Sequence, residues 1–491
     1  MQPSITSQAL ANDQALANDH ALANDSAPPR SAQPDMRPGA QTSERASHVF
    51  GSLLAGPIIP ALLKLAAPTV VVLVVQTFVS VIETYFVGFL GKDALAGVAL
   101  VFPVLMLMTM MSNGALGGGA ASAVARALGS GRRDDANALV LHAVVLAMLF
   151  GLAFTLGVLG GGRVLYGALG GSGDAIEAAL QYSRFVFGGA VLIWAVNLLT
   201  ASLRGAGEVR IPALVIFAGA FIVVPLSPAL IFGFGAIPQL GIAGAGAAVI
   251  FYYVLAGVAL VAYMRSRHSA IKLVWAPLEW RLFKDILGVG GISAVGTLQI
   301  NVTVAVVTGL VGPFGTDALA GYGMASRLDY LLIPLLFALG TAALTMVGAN
   351  IGARQIARAR RIAWTAALLA AAVTETIGVL AALFPQVWIG IFSSDPNVVA
   401  AGSSYLRVVA PFYGFVGLGM LLYFAGQGAR HVTWPVLAGT LRLTIAAVGG
   451  WLAIKVYHAD LSWLFAVVAL SSVAFGVVTA LAMRLQSWGG K

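Results

Sequence analysis

From Pro60 onward the chain is a succession of long apolar stretches separated by short polar breaks. Twelve of them fall at about 61–88, 94–126, 135–161, 176–203, 210–234, 240–264, 283–312, 317–350, 359–385, 398–426, 432–456 and 461–484. Each reaches the roughly 20 residues a helix needs to cross the hydrocarbon core of a bilayer. None shows the ten-residue alternation of barrel strands, which excludes a closed β-barrel. The pattern predicts an all-α polytopic membrane protein with twelve transmembrane helices.

Composition agrees. Of 491 residues, 59% are hydrophobic and 10% charged, with a mean hydropathy of +0.91. A soluble domain carries about 25% charged residues, so this chain lacks the polar surface for water. There is no cysteine, which excludes disulfides and thiolate chemistry, and the six histidines are isolated, without metal-site spacing. No Gly-x-x-x-x-Gly-Lys-Ser/Thr loop is present, which argues against an ATP-driven pump within the chain. The expected protein is neither an enzyme nor a holder of a metal or cofactor.

The net charge of +9 reads as topology rather than as a nucleic-acid surface, because it lies in the breaks. The breaks after stretches 2, 4, 6, 8 and 10 carry Arg126, Arg132 and Arg133; Arg204 and Arg210; Arg265, Arg267, Lys272, Arg281 and Lys284; Arg354, Arg358, Arg360 and Arg361; and Arg430. Those after odd-numbered stretches carry only Lys92, Arg163 and Lys455. By the positive-inside rule both termini are expected in the cytosol, for a multi-pass protein of the inner (plasma) membrane. Residues 1–48 differ in kind: Gln8–Asp13, Gln14–Asp19 and His20–Asp25 repeat one hexapeptide, ahead of a Pro/Ser/Arg-rich stretch. That composition predicts a disordered cytosolic tail.

The chain also repeats itself. Asp93–Gly97 recurs at Asp317–Gly321, an offset of 224; Tyr182-Ser183-Arg184 matches Tyr405-Leu406-Arg407, and the Gly129 break matches the Gly352 break, both at 223. Gly205-Ala206-Gly207 is matched to Gly426-Gln427-Gly428, at 221. The domains expected are a six-helix bundle over 49–264, a basic cytosolic linker over 265–282 and a second six-helix bundle over 283–491. Six is even, so both halves enter the membrane in one sense, and a pseudo-two-fold along the membrane normal relates them. Two such bundles enclose a cleft, and rocking them gives alternating access.

At this point the residues resemble the multidrug and toxic compound extrusion (MATE) family. The marks are Leu65-Ala66-Ala67-Pro68, an acid before Phe86-Val87-Gly88 and Leu90-Gly91, then Asp93-Ala94-Leu95-Ala96-Gly97, Ala325-Ser326-Arg327-Leu328 and Val347–Ala353, over about residues 60–485. The resemblance implies efflux of cationic or amphipathic compounds, lipophilic cations above all, in exchange for protons or sodium. Alternatives are a flippase for a lipid-linked saccharide of the same superfamily and a major-facilitator transporter; the Leu128–Arg133 break lacks the acid that the second would place before its arginines. A channel is disfavoured, because no filter or ring of acids repeats. The bilayer is a partner, nucleic acid is not, and a monomer is expected.

Ionisable residues inside a bilayer cost about 2.5–3.5 kcal/mol each on insertion scales and need partners or a wet cavity. Gln76, Ser80 and Glu83 share one face of the first stretch. The resemblance places a cation-coupling acid at Glu83. The companion amide and, four residues on, the acid that the family often carries in its fifth helix are matched here by Val223 and Ser227, in that order. A proton needs one tunable carboxylate where sodium favours several oxygens, so the expected coupling ion is H+ rather than Na+. In the second half the candidates for substrate contact or coupling are Asp329, Glu375, Arg327, Asn301 and Gln299. Arg327 and Glu375 lie at similar depth and are expected to pair; Arg442 has no nameable partner.

Overall fold

The computed structural model describes residues 51–235 and 238–488, and the hexapeptide repeats and the rest of the 1–48 tail lie outside them. Twelve spans follow in order: α1 Ile58–Gly88, α2 Lys92–Gly129, α3 Arg133–Ala168, α4 Gly173–Val186 with Ala190–Gly205, α5 Arg210–Phe232, α6 Ile242–Arg265, α7 Trp280–Phe314, α8 Thr316–Gly352, α9 Ile356–Leu383, α10 Pro396–Ala429, α11 Thr433–Lys455 and α12 Leu461–Leu485. Eleven are long and apolar enough to span alone; α4 qualifies as a pair bent by 52° at Phe187–Gly189, where the Gly188-Gly189 pair relaxes the backbone. These are the twelve stretches anticipated above, most of them extended by up to two turns at an end and a few trimmed by one or two residues.

Besides a small cluster of Ala121, Ala201, Leu344 and Phe424, two large hydrophobic cores form among the described residues. One gathers α2 to α6, with Trp194, Phe187 and Tyr166 among its fully buried side chains; the other gathers α8 to α12 around Phe465 and Leu339. The first helix of each half is shared. The start of α1 (Leu62, Leu65, Ala66) is buried in the second core, and its end (Val87) in the first. Conversely α7 begins in the first core with Leu282 and Ile286 and ends in the second with Val307 and Val311. The 265–282 segment is strapped to the first bundle: Glu208 accepts from the Ala270 amide at 2.7 Å, Asn137 from Lys272 at 2.7 Å, and His142 Nε2 from Glu279 at 2.9 Å.

The internal repeat is visible in the backbone. Gly91 and Gly315, which open α2 and α8, share φ near +104° and ψ near 173°. Gly131 and Gly207 have φ of 76° and 81°; their counterparts are Arg354 and Arg430, held at 59° and 64° in the left-handed region that glycine fills more readily. Gly129 packs on Ala349, where a β-carbon would fall 2.1 Å from the carbonyl oxygen, and Gly352 packs on Arg126 in the same way at 2.2 Å. Each contact is the other with the halves exchanged, as a two-fold rotation requires.

The structure corrects one match. Gly205 packs on Ala121 and Gly428 on Leu344, so Gly205 corresponds to Gly428 and the offset there is 223 rather than 221. A Gly-x-Gly triplet carries too little information to set register; the helix crossing sets it. Between Asp93 and Gly129 the first half has one residue more than the second, and the π-helical turn Met111–Leu116 lies within that stretch of α2.

Candidate functional site

The bundles are closest at the face that carries the basic breaks, through α2, α7, α8 and α10. Arg126 and Arg204, which the apolar runs place in breaks, are in fact buried inside α2 and α4, 9% and 8% exposed. Arg126 donates to Asp285 of α7 at 2.8 Å and to the Gly428 carbonyl of α10 at 3.1 Å, and Arg430 reaches the same Asp285 oxygen at 3.4 Å. Here the last carbonyls of a helix and a carboxylate neutralise one guanidinium across the seam. Arg204 donates to Asn113 and lies 5.7 Å beneath the Phe337 ring. Gln427 donates to Ser293 at 2.9 Å and to Tyr423 at 3.0 Å. Asn197 donates to Ser112 at 2.8 Å, joining α4 to α2.

In the first bundle, Glu83 lies near the far end of α1, half-buried, with Tyr182 of α4 and Tyr253 of α6 as its electrostatic neighbours. Its Oε1 is buried without a hydrogen-bond partner among the described residues. Gln76 and Ser80 share its helix but are exposed. Val223 and Ser227 are buried in α5.

The second bundle holds a cavity of about 180 Å³. Asp329 of α8, Gln299 of α7 and Arg442 of α11 line it together with Tyr322, Tyr405 and Tyr413. The Tyr405 hydroxyl donates to Asp329 Oδ2 at 2.6 Å; Oδ1 is buried with no well-formed hydrogen bond among the described residues, and the Tyr413 hydroxyl lies beside the same carboxylate. Arg442 is stacked 5.7 Å from the Phe475 ring and is electrostatically coupled to Asp329, yet no ion pair joins them. Asp329 thus supplies the partner that Arg442 lacked in the sequence, at a distance. Gln299 donates to Thr440 at 2.7 Å.

The remaining candidates stand apart from the cavity. Asn301 donates back to the Thr297 carbonyl at 2.9 Å. The expected Arg327–Glu375 pair does not form. Arg327 is exposed and lies 5.3 Å from the Phe392 ring, whereas Glu375 accepts from the Gly414 amide at 2.8 Å. That amide belongs to the first turn of the second half of α10, after the 3₁₀ break at Ala410–Phe412, where helix N–H groups lack intrahelical partners. A carboxylate at a helix start is stabilised there, and the two side chains at equal depth simply face different ways.

A family model, MatE, matches residues 68–229 and again 293–452, once on each half of the repeat. The chain belongs to the MATE family. It is 26% identical over 413 residues to a FAD transporter of Shewanella oneidensis, covering 82% of this chain and 90% of that one. It is also 26% identical over 400 residues to a probable multidrug resistance protein NorM of Thermotoga maritima, covering 79% and 84%. Among solved structures, a MATE in the bent conformation superposes with a TM-score of 0.81 at 23% identity, covering 89% of this chain and 97% of that one. A transporter of the MOP superfamily from Pyrococcus furiosus gives 0.80 at 23%, covering 88% and 97%. This MATE protein is therefore a multi-pass membrane transporter and not an enzyme, and the major-facilitator alternative falls away.

Proposed function

We propose that this MATE protein is a monomeric, secondary-active exporter of cationic or amphipathic compounds from the cytosol, driven by protons entering across the inner membrane. Both termini and the basic face lie in the cytosol in this reading. The observation that carries it is that, among the described residues, each bundle has one carboxylate inside the membrane with an oxygen buried and without a well-formed hydrogen bond: Glu83 Oε1 and Asp329 Oδ1. A carboxylate so placed takes up a proton readily when no cation compensates it, and releases it when a cationic cargo or water arrives. Relatives named as multidrug resistance proteins, from Thermotoga maritima and from Yersinia pestis, support the cargo class.

Glu83 is the coupling carboxylate in this scheme, and Asp329 is the second, facing a cargo's ammonium group in a cavity that it shares with Arg442. The test is efflux of a fluorescent lipophilic cation from vesicles under separately imposed proton and sodium gradients. The expected result is efflux with the proton gradient alone, abolished by Glu83→Gln and kept in part by Glu83→Asp. Efflux driven only by sodium, or an unchanged rate in Glu83→Gln, would overturn it.

A further inference from the structure

The cavity in the second bundle is not built for a simple cation. It carries one acid and one base on different helices, Asp329 on α8 and Arg442 on α11. They are not in ion-pair contact, and each keeps a polar atom buried without a well-formed hydrogen bond among the described residues, Asp329 Oδ1 (with the Tyr413 hydroxyl beside the carboxylate) and Arg442 Nε. A bare lipophilic cation would satisfy Asp329 and be repelled by Arg442; a bare anion would meet the reverse. A molecule with an ammonium and a carboxylate satisfies both at once. The rest of the wall is largely aromatic and aliphatic, with Tyr322, Tyr330 and Tyr423 in it and Phe475 beside the guanidinium, interrupted by the neutral polar side chains of Gln299, Thr303, Ser326, Thr374 and Ser472. Such faces take an apolar ring and favour a charged group beside it.

Size narrows the class further. A cavity of roughly 150 Å³ accepts benzene, so about 180 Å³ holds a single aromatic ring with a short polar substituent. The asymmetry supports a site rather than generic packing. The position equivalent to Arg442 in the first bundle is Gly219, and there the Tyr252 ring, counterpart of Phe475, closes onto the glycine; the equivalent of Asp329 is Leu105. The second bundle alone has exchanged both apolar positions for opposite charges.

We infer that this cavity binds a small aromatic zwitterion, its ammonium on Asp329 and its carboxylate on Arg442. The inference rests on the reading of the protein as an exporter only for what happens to the ligand next; binding itself needs no gradient. The test is therefore equilibrium binding to the full-length protein in lipid nanodiscs, without any gradient. The probes share one ring and chain: phenylalanine carries both charges, phenethylamine only the ammonium and 3-phenylpropionate only the carboxylate.

The expected result is phenylalanine bound at least about tenfold more tightly than either singly charged analogue, the size of one charged contact. Arg442→Gln should abolish its advantage over phenethylamine and leave the advantage over phenylpropionate. Asp329→Asn should do the opposite. Arg442→Lys should retain part of the preference, which separates recognition from a folding defect. Equal affinity for phenylalanine and phenethylamine in the unmodified protein, or preferences that neither substitution moves, would overturn the assignment. Neither result bears on whether protons drive efflux.

Discussion

Tyr182 and Tyr405 occupy the same place in the two halves, and each faces a membrane-embedded carboxylate, but a different helix delivers it. In the first bundle the acid is Glu83 from α1, whose counterpart in α7 is Val307; in the second it is Asp329 from α8, whose counterpart in α2 is Leu105. A duplicated scaffold has thus kept the tyrosine and moved the charge. The surroundings differ accordingly. Asp329 is hydrogen-bonded to its tyrosine, opens on a cavity and has an arginine within electrostatic range, whereas Glu83 has two tyrosines near it and no hydrogen-bonded partner among the described residues. The fold specifies where a carboxylate is useful; it does not specify which strut must carry it.

The largest effect expected from disturbing the symmetry lies at the α2–α8 crossing. A β-carbon at Gly129 or Gly352 would strike backbone at 2.1 or 2.2 Å. Overpacking of this kind costs about 1–3 kcal/mol. Gly129→Ala and Gly352→Ala should each shift the closed-to-open ratio of the basic face by roughly ten- to a hundredfold, and to the same extent. Because the chain has no cysteine, Ser293→Cys introduces a single reporter behind the seam, and its rate of labelling by a thiol reagent reads the opening. Unequal rates in the two glycine variants would break the two-fold equivalence.

Next comes the tyrosine pair. Tyr405→Phe removes a charge-assisted hydrogen bond, worth about 1.5–3 kcal/mol, from a partly buried carboxylate. Tyr182→Phe removes no direct bond and should cost less than about 1 kcal/mol. Thermal unfolding in matched lipid checks the difference; equal losses would mean that Tyr182 and Glu83 are also bonded.

The smallest effect concerns one loop position in two chemistries. Glu208 and its counterpart His431 sit just outside α4 and α10, and burial drives both toward neutrality: the glutamate is raised above its usual range despite the Ala270 amide and Ser269 hydroxyl that oppose the shift, and the histidine is lowered. A raised acid contributes stability that is full below its unfolded value of 4.5 and is lost as pH rises through the folded value. A lowered base does the reverse: its contribution is full above 6.5 and is lost as pH falls through the folded value. Between pH 5 and 7, Glu208→Gln should therefore gain most at the upper end and His431→Gln at the lower, by a degree or so in melting temperature. Parallel pH profiles for the two variants would refute the opposition.

The spans and the repeat were legible because both are properties of single helices: an apolar run and a landmark at constant spacing. What escaped depends on rotation about helix axes. Residue spacing sets Arg327 and Glu375 at one depth, but depth says nothing of direction, and one turns to Phe392 while the other reaches Gly414. Arg126 and Arg204 read as loop cations because each apolar run stops beside them, yet the helices continue and bury them in the seam. Asp285, which neutralises Arg126, carried no signal of its own: it is one acid among basic residues at the start of α7. Arg442 did carry one, as a lone cation within an apolar stretch, and its relation to Asp329 follows only once α8 and α11 are folded around one cavity.

The π-helical turn in α2 has a consequence for how two copies of one ancestral half could drift apart. An extra residue in a regular helix rotates everything beyond it by about 100° and advances it by 1.5 Å. Such a change in α2 would have swung Arg126 and Gly129 away from α8 and dissolved the seam. The wide turn at Met111–Leu116 takes up the additional residue locally, so the phase of the helix is restored before Gly117. The bulge acts as a phase corrector, leaving the Lys92–Met110 half of α2 free to change length and angle while the seam-forming half stays in step with its twin.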